Sequence, residues 1–329
     1  MPEPATWLTY MLRVVNLTYR YPDSDAPALR DLSLSLEPGE VLLVAGGMGS
    51  GKSTLCYALA GFVPHFFQGE MEGDVYLEGR SLRGASLGEW IQQVGLVVQN
   101  PFNQITGARM TVFGEVAFGL ENLGVPRAEI GRRVGSVLQQ LGIAELAERS
   151  PYALSGGQMQ RVAIASILAL HPRLLIMDEP TAQLDPEGTR EVFQVVRVLA
   201  EQGASVVLAT HKLTEVAEFA TRALVLHDGT IALEADTQTV LSDPRLAGWS
   251  VEPPVFVVLA TEIGLPEPAP TTFSQAVEAF SSVPYRGDRE RGDHKVHPYH
   301  RRPVEERPAA GRPQGGRPQG PPLPAIQRV

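Results

Sequence analysis

An unbroken apolar run at residues 41–45 and an apolar-periodic segment at residues 52–60 are joined by Gly46-Gly47-Met48-Gly49-Ser50-Gly51-Lys52-Ser53-Thr54. No other stretch restricts the fold so tightly. A buried strand that turns through glycines straight into a helix can point its backbone N–H groups into one concavity. The helix N-terminus adds partial positive charge to that concavity. In this pattern such a loop holds phosphate oxygens, a lysine, here Lys52, reaches the outer phosphates, and a hydroxyl, here that of Ser53, holds magnesium. The chain is therefore expected to build a nucleotide site from a strand, a loop and a helix.

The remaining elements suit a sheet that carries such a loop. Residues 174–177 and 205–209 are two more continuous apolar runs between helical patterns, as expected for parallel strands covered on both faces. Residues 13–19, 31–36 and 74–77 alternate apolar and polar, which predicts half-exposed antiparallel strands. From about 88 to 170 helical patterns prevail, at residues 130–141 and 158–170, and predict an inserted helical lobe. Residues 236–280 read as a short helical extension punctuated by prolines, with helices at 255–263 and 272–280. The last stretch, 281–329, carries 9 Pro, 6 Gly and 10 basic against 5 acidic residues. Such a composition cannot offset its own ordering entropy, so a disordered basic tail is expected.

Two more constellations carry chemistry. Leu174-Leu175-Ile176-Met177-Asp178-Glu179 is an apolar strand ending in two carboxylates, at the end of a parallel sheet where ligands bind. There Asp178 can orient a magnesium ion and Glu179 can polarise an attacking water. Leu154-Ser155-Gly156-Gly157-Gln158 opens a helix and forms a second anion nest. A single nucleotide has one terminal phosphate, so a second nest in one chain needs a reason. His211, in Ala209-Thr210-His211, follows the strand at 205–209.

In this order the motifs resemble the nucleotide-binding domain of ATP-binding cassette proteins, over about residues 11–235. Residues 46–54 look like the Walker A loop, 154–158 like the family signature, 174–179 like the Walker B strand and 182–185 like the D-loop. Gln99 looks like the Q-loop glutamine and His211 like the switch histidine. Tyr21 corresponds to the aromatic that stacks on adenine, with Tyr19 close by as the other candidate. The resemblance implies an α/β fold: a P-loop NTPase core with a mainly parallel sheet, an antiparallel β subdomain and an inserted α-helical subdomain. It implies ATP and magnesium as cofactors, and a head-to-tail dimer with ATP between Lys52 of one subunit and Ser155 of the other. That arrangement accounts for the second nest. The nucleotide contacts would be Tyr21, Gly46, Gly47, Gly49, Ser50, Gly51, Lys52, Ser53, Thr54, Gln99, Asp178, Ser155, Gly156, Gly157 and Gln158. Glu179 would be the general base, with Lys52 and His211 acting on the γ-phosphate, and Ser53, Gln99 and Asp178 would form the magnesium site. Met48 stands where the loop more often has a polar residue, and Gln183 where the D-loop commonly has glycine.

The stretch from Val98 through Gln99-Asn100-Pro101-Phe102-Asn103-Gln104, with Glu115 to Leu120 and Tyr19-Arg20-Tyr21-Pro22, is similar to the cobalt-type and energy-coupling-factor importers. By that resemblance a second ATPase subunit, a transmembrane coupling protein and a separate membrane substrate-binding protein are the partners, and a vitamin, cobalt or nickel ion the cargo. The chain would sit peripherally on the cytoplasmic face of the membrane. Asn103, Gln104 and Glu115 would line the groove for the coupling protein, Glu115 either pairing with its arginines or standing as a solvated acid at a helix start. An exporter ATPase, or a soluble cassette ATPase acting on ribosomes or DNA, shares the core motifs. Composition weighs against the last. The net charge of −9 argues against a nucleic-acid partner. No run of eighteen apolar residues suggests a membrane span, and residues 1–10 do not read as an export signal. The single cysteine, Cys56, excludes an intramolecular disulfide and reads as a buried apolar residue. His294, His297 and His300 are spaced by three in the tail, where Pro298 opposes a preformed metal site.

Overall fold

The computed structural model describes residues 10–281. The expected tail, with His294, His297 and His300, lies outside the described residues. Within them the strands run β1 (Leu12–Arg20), β2 (Leu29–Leu36), β3 (Val41–Gly46), β4 (Glu70–Leu77), β5 (Arg80–Ser81), β6 (Val94–Val97), β7 (Leu174–Asp178), β8 (Ser205–Ala209), β9 (Arg222–His227) and β10 (Thr230–Asp236). The helices are α1 (Lys52–Leu59), α2 (Phe62–His65), α3 (Leu87–Ile91), α4 (Val112–Asn122), α5 (Arg127–Gln140), α6 (Gly156–Leu168), α7 (Pro186–Glu201), α8 (Leu213–Val216), α9 (Thr237–Leu241), α10 (Val255–Ile263) and α11 (Phe273–Ser281).

The period of two in the apolar strands sorts their side chains onto two faces. Leu43 and Ala45 of β3, Leu175 and Met177 of β7, and Val206 and Leu208 of β8 face a core shared with α4, α5, α6 and α7. Their neighbours Leu42, Val44, Leu174, Ile176, Val207 and Ala209 face a second core shared with α1 and the antiparallel strands. Because both faces are covered, these strands need no polar positions, and β7 and β8 are buried throughout. The resulting sheet has the order β10-β9-β3-β8-β7-β6, parallel except at the β10 edge. The alternating segments form the second sheet, β2-β1-β4-β5, which is antiparallel. The expected α/β architecture is thus present, with its antiparallel β layer and its helical insertion.

Two boundaries differ from expectation. The helical lobe was expected from about residue 88, yet Val94–Val97 is a strand that pairs with β7 in the central sheet, so the lobe begins after it. Its four residues are buried, and a run that short has no period by which to tell strand from helix. Nor does the apolar segment at 222–227 alternate, so it gave no distinct strand signal. It nevertheless pairs with Thr230–Asp236 through Asp228 and Gly229, both at positive φ as a two-residue hairpin turn requires. The 236–280 extension has two parts. Val240, Leu241, Leu246 and Val251 join the main core, whereas Val257, Ala260 and Ala269 form a small cluster of their own.

Candidate functional site

The parallel order brings the carboxyl ends of β3, β7 and β8 side by side, and the loops that follow them enclose one cleft of about 460 Å³. It is lined by Gly46, Gly47, Met48, Gly49, Lys52 and Ser53 after β3, by Asp178 and Glu179 at the end of β7, by Thr210 and His211 after β8, and by Gln99. Residues far apart in sequence thus meet where a parallel sheet places its ligands.

The loop after β3 is glycine-rich for steric reasons. A Cβ on Gly46 would stand 2.5 Å from Ser50 Oγ and 2.6 Å from the Leu226 carbonyl, and one on Gly51 would stand 2.8 Å from the Ala28 carbonyl. Both have positive φ, 154° and 106°. The β9–β10 turn braces the loop, since Gly229 N–H donates to the Ser50 carbonyl at 3.1 Å. Lys52 Nζ donates to the carbonyls of Gly46 (2.7 Å) and Gly47 (3.0 Å), which holds the ammonium at the cleft.

Asp178 is 2 % exposed, and its Oδ1 has no hydrogen-bond partner. Burial raises its carboxyl above the ordinary value against the hydrogen bond from Ser53, while Glu179 adds to the rise and Lys52 opposes it. A buried, unpartnered carboxylate oxygen beside a hydroxyl is a hard donor pair that suits a magnesium ion, whose remaining ligands are water and phosphate oxygens. Among the described residues no three His, Cys, Asp or Glu side chains converge as an all-protein metal site would need.

Glu179 adopts φ 49°, a left-handed conformation that a glutamate enters only when its surroundings impose it. Its N–H donates to the Ala209 carbonyl at 2.8 Å. Its Oε2 lies 2.9 Å from His211 Nδ1 and accepts from Thr210 Oγ1 at 3.2 Å. Thr210 is a site residue that motif reading passed over; its only signal was its place between β8 and His211.

Other expected site residues stand elsewhere. Tyr19 is excluded as the ring-stacking aromatic, because it is fully buried with its hydroxyl donating to the Phe67 and Gln68 carbonyls. Tyr21 is half-buried, its hydroxyl 3.3 Å from Oγ1 of the buried Thr54 in α1. Ser155, Gly156, Gly157 and Gln158 do not line the cleft. Ser155 caps α6, its Oγ accepting from Gln158 N–H at 3.3 Å while the Gln158 side chain accepts from Ser155 N–H at 3.1 Å. The helix end so formed carries an exposed Ser155.

Glu115 overturns both readings made for it. It is only 3 % exposed, its Oε1 accepting from Thr106 N–H at 2.5 Å, so it is neither a solvated acid nor available to a partner's arginine. Gln104 is likewise occupied: its amide oxygen accepts from Val98 N–H at 3.2 Å and its Nε2 donates to the Ala163 carbonyl at 3.1 Å, tying the segment after β6 to α6. Asn103 stays exposed, with Phe102 and Met110 as exposed apolar neighbours in the chain.

Cys56 is fully buried one turn into α1, and burial pushes its thiol well above the ordinary range, with Asp178 adding to the shift. In the native protein a maleimide or disulfide reagent at pH 8 is expected to label it at least about 100-fold more slowly than in guanidinium, since only opened molecules expose a thiolate. Labelling at the unfolded rate would contradict this packing.

Residues 29–182 match the sequence profile described as ABC transporter. The energy-coupling factor transporter ATP-binding protein EcfA1 of Levilactobacillus brevis is 43% identical over 226 residues, 68% of this chain and 78% of that protein. Among solved structures, cbiO1 from Clostridium perfringens, described as part of the ABC transporter complex cbiONQ, superposes with a TM-score of 0.63 at 31% identity. That match covers 72% of this chain and 93% of the other. A dimeric ATP-binding cassette, MJ0796, described as a post-hydrolysis state bound to ADP and Pi, gives 0.61 at 28% identity, over 69% of this chain and 99% of the other.

Proposed function

This chain belongs to the ABC transporter family of ATP-binding proteins, and from that premise we propose that it is the ATP-hydrolysing subunit of an energy-coupling-factor type importer. Its cargo would be a vitamin or a cobalt or nickel ion. One observation carries the mechanistic part: Lys52, Ser53, Asp178, Glu179 and His211 share a cleft, while the capped N-terminus of α6 at Ser155 lies outside it. The phosphates held by one chain therefore need a second chain's α6 terminus to be enclosed, in a head-to-tail dimer. The dimeric cassette bound to ADP and Pi supports that assembly.

In the closed dimer Lys52 exchanges the Gly46 and Gly47 carbonyls for β- and γ-phosphate oxygens, and backbone N–H groups of residues 47–53 take the rest. Tyr21 stacks on adenine, and Ser155, Gly156, Gly157 and Gln158 come from the partner. Ser53, Asp178 and Gln99 would hold magnesium, which would supply positive charge to neutralise the phosphates. Glu179 accepts a proton from water as the water oxygen bonds to the γ-phosphorus. The bond from that phosphorus to the bridging oxygen breaks, releasing ADP and phosphate. His211 orients Glu179 and contacts the γ-phosphate.

No helix among the described residues is long and apolar enough to cross a membrane. The chain would work peripherally on the cytoplasmic face, beneath a transmembrane coupling protein and a separate membrane substrate-binding protein. Exposed Phe102, close in sequence to Gln99, supports a coupling partner at that loop. Affinity capture of the full chain from detergent-solubilised membranes is expected to recover a multi-helix coupling protein together with a small membrane binding protein. Recovery of ribosomal or DNA-bound partners with nothing from the membrane would overturn the importer reading.

A further inference from the structure

One wall of the cleft comes from neither the sheet nor its loops. Ser250, Val251 and Glu252, which follow the 3-10 turn Pro244–Trp249 of the C-terminal extension, line it beside Gly47 and Lys52. This turn is firmly built. Leu246 and Val251 are buried in the main core, Val251 N–H donates to the Leu246 carbonyl at 3.0 Å, and Arg245 lies over the Trp249 ring while pairing with Asp243. Ser250 itself adopts φ 56°, the left-handed region.

The contact explains Gly47. Unlike Gly46 and Gly51, it does not have a positive φ, so no backbone conformation demands a glycine there. Space does: a Cβ at 47 would stand 2.9 Å from Ser250 Cβ, 3.1 Å from the Trp249 carbonyl and 3.4 Å from the Ser250 carbonyl. The residue whose side-chain space the turn closes off is the one whose carbonyl accepts from Lys52 Nζ at 3.0 Å. Glu252, two residues on, is exposed and has no hydrogen-bond or ion-pair partner among the described residues. It adds a third carboxylate to a cleft that already holds Asp178 and Glu179.

We infer that the turn at 250–252 is a working wall of the phosphate site: Ser250 sets the position of the Gly47 peptide, and Glu252 weakens binding of the polyanionic nucleotide. The C-terminal extension thereby governs nucleotide affinity in its own subunit. This rests on the reading of the cleft as the ATP site. Ser250 is a positioning residue, acting through Gly47, and Glu252 acts by charge alone.

The test is calorimetric titration of magnesium-ATP into the full chain, with Glu179→Gln in every sample to prevent turnover. If the chain bearing Glu179→Gln alone does not bind ATP, the ATP-site reading fails and the inference falls with it. Given binding there, adding Glu252→Gln is expected to tighten Kd about 3- to 10-fold at low salt, an effect that fades in about 1 M salt. Adding Gly47→Ala is expected to weaken Kd at least about 10-fold. Ser250→Gly on top of it recovers much of that loss, because glycine removes the nearest clashing atom and suits the left-handed φ. A merely structural role for Ser250 gives no such rescue. Where ATP binds normally, absence of either the Glu252 effect or the rescue overturns the inference. Should Gly47→Ala fail to fold, the Glu252→Gln comparison decides alone.

Discussion

Replacing Glu179 by glutamine is expected to leave ATP bound and to lower turnover about 10²- to 10⁴-fold, the usual contribution of a positioned general base. The substitution is close to isosteric. Glutamine keeps an oxygen that can accept from Thr210 Oγ1, now at 3.2 Å, and it can occupy the same left-handed backbone position at φ 49°. What it cannot do is take a proton from water. It also removes one negative charge from a cleft that holds Asp178, so nucleotide affinity should hold or rise while the chemical step fails. The check is a pair of measurements on the purified chain: ATP binding by calorimetry, and phosphate release at saturating ATP. If the variant releases phosphate at the parent rate, Glu179 is not the base. His211→Ala in the same assays separates the roles, since loss of the imidazole 2.9 Å from Glu179 Oε2 should slow turnover without removing the base.

How much of this was legible in the sequence follows from the range of the interactions involved. The glycine loop was legible because its spacing between an apolar strand and a helix marks the turn by itself, whereas what the glycines avoid is distant in sequence: a Cβ on Gly46 would meet the Leu226 carbonyl and one on Gly51 the Ala28 carbonyl. The burial of β3, β7 and β8 on both faces was legible because their runs are apolar throughout, so any register gives burial. Val94–Val97 was not, because four buried residues carry no period. Glu115 was misread for a different reason. At the first turn of α4 an acid is favoured by the helix dipole whether exposed or not, and only the tertiary position of Thr106 shows that the side chain turns inward. The Tyr19 and Tyr21 pair shows the same limit: Tyr19 lies within β1 and Tyr21 just past its end, and only tertiary packing separates a core ring from a half-buried one. The C-terminal wall was invisible altogether: no motif links Ser250 to Gly47, and their contact spans about two hundred residues of chain.

Gly156→Asp is expected to abolish hydrolysis, by about 100-fold or more, while leaving single-chain ATP binding within about 2-fold of the parent. Folding does not explain the loss in advance. A Cβ at Gly156 would meet only Gln183 Oε1, at 3.7 Å, and an aspartate in the first turn of α6 complements the helix dipole. Within one chain the new carboxylate stands outside the Lys52 cleft, which residue 156 does not line. In the proposed head-to-tail dimer it would occupy the anion nest that the other subunit's γ-phosphate enters. The composite site then permits a complementation experiment. Lys52→Ala disables the cis half of a site and Gly156→Asp the trans half, so each variant alone is inactive. A mixed dimer pairs the intact Lys52 of one chain with the intact α6 terminus of the other, restoring one of its two sites. Random mixing in equal amounts should thus recover about a quarter of the parental site count, under the two-fold symmetry that makes both sites equivalent. Phosphate release measured across mixing ratios should pass through a maximum at equal amounts. A flat, inactive profile, or a Gly156→Asp chain as active as the parent, would show that the second nest serves something other than the partner's nucleotide.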